Sequence, residues 1–151
     1  MKLMNTSGEV IFDPGDENRP LDAGRTIEIA VELKQDLSGL KLYSKRINEV
    51  NLAGARLKGA DLKTCSFFGT DLSGADLRGA DLEMALMAGA NLKGANLTGA
   101  NLRYAVLKGA HVEGAKFENA DVTGCDRQDE LCSEAVETTY IMVRKKKKAA
   151  N

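Results

Sequence analysis

Residues 75–79 read A-D-L-R-G and residues 90–94 read A-N-L-K-G, and the two pentads between them, A-D-L-E-M and A-L-M-A-G, keep the small first and apolar third residue. Extended in both directions, the frame holds far beyond this stretch. Every fifth position from Leu37 through Leu42, Ile47, Leu52 and on to Phe117 and Val122 is apolar, eighteen in succession. Two residues before each centre the side chain is usually small, as at Ala55, Ala60, Cys65, Thr70, Ala75 and Ala80. Two residues after it, Gly is common.

A period of five fits neither regular element. On an α-helix five steps rotate a side chain by about 140°, which smears the leucines around the cylinder. On a flat strand an odd period sends successive leucines to opposite faces. All of them point inward only if the chain turns a corner once per pentad, with Gly allowing the unusual backbone angles there. The Gly position also counts the corners. Six of its eighteen occurrences are not Gly, and four of those, Ser44, Thr64, Met84 and Tyr104, stand twenty residues apart; the other two are Glu49 and Asn119. One column of corners in four therefore differs, which predicts a different turn chemistry there, a four-sided coil and about 4.5 turns in a body roughly 20 Å tall. Each buried centre contributes about 1.5–3 kcal/mol, whereas ordering a residue costs about 1–2 kcal/mol, so coils are stable only when stacked and covered at both ends.

The pattern resembles the pentapeptide-repeat family, with its A-(D/N)-L-x-x consensus, over residues 37–124. The resemblance implies an all-β solenoid, a right-handed quadrilateral β-helix; a shared scaffold does not fix a shared activity. The expected organisation is an N-terminal strand and helix cap at 1–36, the β-helix at 37–124, a C-terminal capping segment at 125–143 and a basic disordered tail at 144–151. In the head, Glu9–Phe12 reads as a short strand closed by the turn Asp13-Pro14-Gly15. Thr26–Lys34 reads as a helix with Ile27, Ala30 and Val31 on one stripe. This head looks like the segment that precedes the repeats in phage- and prophage-encoded members. Residues 129–143 fit either an amphipathic helix, through Leu131, Cys132, Ala135, Val136 and Tyr140, or a strand, through Thr138, Thr139, Ile141 and Val143.

Composition excludes several functions. The chain has 151 residues with 21 basic and 22 acidic side chains, so it is no general nucleic-acid binder. Three cysteines, Cys65, Cys125 and Cys132, lack metal spacing and their odd number argues against a disulfide framework. No signal pattern or membrane-length apolar run is present, and a soluble cytoplasmic protein is expected. The single histidine, His111, sits in an outward position with no triad logic around it, so no catalytic centre is expected. Asp61, Asp81, Asn101 and Asp121 share an outward column, and their expected role is hydrogen bonding to their own backbone rather than metal binding or acid–base work. No metal or cofactor is expected. The run Arg144–Lys148 offers at most weak, salt-sensitive contact with phosphates, and no aromatic residue accompanies it.

Long family members bind topoisomerases by imitating DNA. B-DNA carries one charge per ~1.7 Å of axis, so a ~20 Å body would need about a dozen uncompensated carboxylates. Residues 49–125 hold nine acidic and eight basic side chains, which rules out mimicry on charge. Topoisomerase modulation by other means and a structural role in a phage particle are alternatives to the leading expectation, a non-enzymatic scaffold that binds a protein partner. One side of the coil points to where. Its outward column reads Arg46, Ser66, Leu86, Val106, the preceding corners carry Met84 and Tyr104, and Phe68 faces out one coil earlier. Phe68, Met84, Leu86, Tyr104 and Val106 are expected to form one apolar patch, which marks an interface with the chain's own C-terminal segment, a second copy in a homodimer, or a foreign protein.

Overall fold

The computed structural model describes residues 1–15 and 22–126. The expected C-terminal capping segment beyond Asp126 and the basic tail lie outside the described residues.

From Asp36 to Asp121 the backbone coils with a repeat of twenty residues. Parallel bridges join Asp36 to Arg56, Lys41 to Asp61, Arg46 to Ser66 and Asn51 to Asp71, and so on up to Asn101 with Asp121. The sides are thus four, as the spacing of the odd corners requires. Each side contributes one bridged residue, so among the described residues named strands occur only in the N-terminal head. All eighteen centres from Leu37 to Val122 are buried, as are the small residues from Ala55 to Cys125.

Each corner is a four-residue turn. The N–H of the small residue donates to the carbonyl of the preceding centre, from Ala55 to Leu52 at 3.0 Å through to Cys125 to Val122 at 3.2 Å. The third residue of the turn has positive φ, as a type II turn demands. The different turn chemistry expected at the Ser44–Tyr104 column is not found. Ser44, Glu49, Thr64, Met84, Tyr104 and Asn119 have φ of 54–59°, close to the 62–73° of the glycines at the other corners. The Ser44–Tyr104 column therefore has the same turn as the rest and differs only in the side chains it carries. Adjacent coils exchange bonds in both directions: Leu77 N–H donates to Asn96 C=O at 2.8 Å, while Asn96 N–H donates back to Ala75 C=O at 2.8 Å.

The head packs on the first coil. Strands β1 (Leu3–Met4) and β2 (Val10–Phe12) form an antiparallel hairpin. β2 falls within the expected strand, and β1 was not anticipated, being too short to alternate. Asp13 Oδ1 accepts the Gly15 N–H at 3.0 Å in the expected turn. β1 continues onto the coil, where Lys41 N–H donates to Met4 C=O and Thr6 N–H to Gly39 C=O, both at 2.8 Å. Helix α1 spans Ala23–Glu32 rather than Thr26–Lys34. Its true start is set by Asp22, whose carboxylate accepts the Arg25 N–H at 2.7 Å, and it is over by Lys34, at φ 55°. Ile27 and Ala30 are fully buried and Val31 half-buried. Gly24 lies so near Val50 that an added methyl would come within 3.3 Å of it. Glu28 Oε1 accepts the Asn51 N–H at 3.0 Å, fixing the helix to the coil.

Candidate protein-docking face

The outward Asp and Asn residues explain both the repeat and the exception to it. Each stands just before a centre, and its side-chain oxygen accepts the N–H two residues on. The pairs include Asp61 with Lys63, Asp81 with Glu83, Asn101 with Arg103 and Asp121 with Thr123, at 3.0–3.4 Å. Between coils the amides add a second bond, Asn101 Nδ2 to Asp81 Oδ1 at 3.0 Å and Asn91 Nδ2 to Asp71 Oδ1 at 3.1 Å. The acidic column is therefore occupied in holding the turns. Among the described residues no group of three or more His, Cys, Asp or Glu is placed to hold a metal ion.

Between Asp61 and Asn101 only Ser66 and Leu86 stand in this position without a carboxylate or amide. At Ser66 an amide is borrowed, since Asn48 Oδ1 accepts both the Ser66 hydroxyl, at 2.7 Å, and the Phe68 N–H, at 3.1 Å. Leu86 and, in the next coil, Val106 offer no acceptor at all. These two residues are bridged to one another. Leu86 is 49% exposed, with Met84 at 51%, Tyr104 at 49% and Phe68 at 53%; Val106 is half-buried. Met84 and Tyr104 occupy the same corner in successive coils. Tyr104 lies over Gly124, where a Cβ would collide with its ring, and the Arg103 guanidinium stands 5.7 Å from the ring centroid. Arg103 in turn reaches Asp121 at 3.7 Å. The aromatic ring is thus held against the next corner rather than left to rotate freely.

His111 is exposed, with Nδ1 3.9 Å from Glu113 Oε1. Cys65 and Cys125 are buried in the small-residue column, their sulfurs donating to Leu42 C=O at 2.9 Å and Leu102 C=O at 2.8 Å. Burial pushes the Cys65 thiol pKa up, away from the reactive thiolate. The buried Thr70 hydroxyl donates to Ile47 C=O in the equivalent way. Sequence reasoning missed Tyr43, which is 55% exposed. Its column otherwise carries Lys63, Glu83, Arg103 and Thr123, so a lone aromatic there was the available signal.

A four-sided coil whose corners repeat every five residues, with its Asp and Asn residues latching the turns, defines a class of solenoid scaffold. The chain belongs to the pentapeptide repeat family: the family model described as Pentapeptide repeats matches eight copies across residues 46–83 and 85–126. Its fold is accordingly the right-handed quadrilateral β-helix. Among solved structures it is similar to a pentapeptide repeat protein of the Arabidopsis thaliana thylakoid lumen, with 35% identity, 70% of each chain covered and a TM-score of 0.48. It is also similar to HetL, a pentapeptide repeat protein involved in heterocyst differentiation regulation in the cyanobacterium Nostoc sp. strain PCC 7120. There the identity is 30%, covering 60% of this chain and 50% of that one, with a TM-score of 0.38. A trypsin-treated form of QnrB1, a plasmid-mediated fluoroquinolone resistance protein, is 25% identical over 60% of this chain and 57% of its own, with a TM-score of 0.45. No match was found among curated proteins. Among the described residues no helix is long and apolar enough to cross a membrane.

Proposed function

We propose that the chain is a non-enzymatic interaction scaffold, a β-helix of about 4.5 coils capped at its N-terminal end by the hairpin and α1, that docks a protein partner through Phe68, Met84, Leu86, Tyr104 and Val106. One observation carries the reading. At Leu86 and Val106 the fold forgoes the side-chain acceptor that latches the neighbouring turns, and no hydrogen bond to the Ala88 or Lys108 N–H is made among the described residues. An interior coil that gives up such a bond for a half-exposed leucine is trading local stability for something else. Apolar and aromatic side chains grouped on a polar body, Tyr and Met among them, have the make-up of an interface centre. The occupant is a foreign protein with a complementary apolar surface.

Leu86→Lys combined with Tyr104→Ser tests this. The double variant is expected to keep its melting curve and its sedimentation coefficient while losing the partner. A marked fall in melting temperature would mean that the chain's own residues cover the face. A dimer of the native protein that dissociates in the variant would assign the face to self-association. Either result would replace the foreign partner.

A further inference from the structure

A second surface, at the N-terminal end of the solenoid, is independent of the docking face. Where β1 joins the first coil, a cleft of about 340 Å³ opens between Met1, Lys2 and Met4 on one side and Lys41, Tyr43 and Lys45 on the other. Its origin lies in the first coil having no coil below it. Lys45 stands in the column that carries the buried Cys65 and Ala85 higher up, yet it is exposed. The Lys41 to Met4 backbone bond brings the hairpin alongside, and Met4 and Tyr43 remain 42% and 55% exposed. Pockets for small molecules begin at about 300 Å³ and combine apolar walls with a few convergent polar groups.

The charges around the cleft are unbalanced. Lys2 is paired with Asp13 at 3.0 Å. Asp61, the residue bridged to Lys41, is engaged instead by Lys63 at 3.6 Å. Lys41 and Lys45 make no ion pair among the described residues. Two ammonium groups without a counter-ion thus border a cleft walled by methionine and tyrosine. We propose that this cleft binds a small organic anion, an apolar or aromatic body carrying a phosphate, sulfonate or carboxylate group. The body rests against Tyr43 and Met4, and the anionic group is neutralised by Lys41 and Lys45.

The test is an amide chemical-shift titration of the full chain with 1-naphthyl phosphate. Saturable shifts are expected at Met4 and residues 41–45. Inorganic phosphate alone and 1-naphthol alone should each bind far more weakly, since each supplies half of the recognition. Replacing both Lys41 and Lys45 by Ala should weaken the naphthyl phosphate by roughly tenfold or more, with the remaining spectrum unchanged. Shifts centred on Leu86 and Tyr104 would overturn the proposal, as would equal binding of either half-probe, native affinity in the double variant, or the absence of saturation.

Discussion

At the scale of single residues, the corners are where this sequence departs from its own rule. Six non-glycine residues sit at φ of 54–59°, a region that costs an L-residue about 1–2 kcal/mol. Met84→Gly should therefore raise stability by about 1 kcal/mol in denaturant melts while removing an apolar side chain from the proposed docking face. Leu86→Asn should behave similarly, since an amide there restores the latch to the Ala88 N–H for a gain of about 0.5–1.5 kcal/mol. The opposite sign is expected in the interior, where Leu77 is fully buried. Leu77→Ala should cost about 2–5 kcal/mol by chemical denaturation, and a loss of only a few tenths would contradict its place in the core. The period of twenty was legible because the odd corners recur at that spacing. That the odd corners share the backbone of the glycine ones was not, because residue type alone does not report φ when side chains override preference. The latching role of Asp61 and Asp81 followed from known turn chemistry, but its converse, the bond forgone at Leu86, needed coordinates.

At the scale of elements, α1 is short, so its contact with the coil rather than its own propensity holds it. Ile27 and Ala30 bury its inner face, and two carboxylates add to the hold, one within the helix and one across to the coil. Asp22 caps the helix, and Asp22→Ala should cost about 1 kcal/mol, read as a lowered melting temperature. Glu28 has its pKa lowered by the Asn51 N–H it accepts and by Arg25 beside it. A carboxyl depressed in the folded state stabilises above its unfolded pKa of about 4.3 and loses that contribution as the pH falls through the folded value. Stability is therefore expected to be level from neutral pH to about pH 5 and to fall below about pH 4, with a shallower fall in Glu28→Gln. The helix is readable from Ile27 and Ala30, yet it starts three residues before the expected Thr26 because the Asp22 cap lies ahead of the apolar stripe. β1 has two residues and exists only because it pairs with β2 and the first coil, contacts no local pattern encodes.

At the scale of the whole molecule, the coil is a prism whose four sides differ in what they show to solvent. Most of it shows Asp, Asn, Lys and Arg, and one side shows Leu86 and Val106 beside Met84 and Tyr104. The patch was visible in the sequence once the coil was known, whereas the lysine-bordered cleft arises from the junction of head and coil and was not. The central claim, that this side meets another protein, is tested most directly by placing a photo-crosslinking amino acid at position 86 and, as a control on a polar side, at position 96. Both proteins are irradiated in the cells that produce them. A discrete heteromeric adduct from position 86 that is absent from position 96 and is suppressed by Tyr104→Ser is the predicted result. Adducts of equal yield from both positions, or an adduct only within one chain or between two copies of it, would contradict the claim.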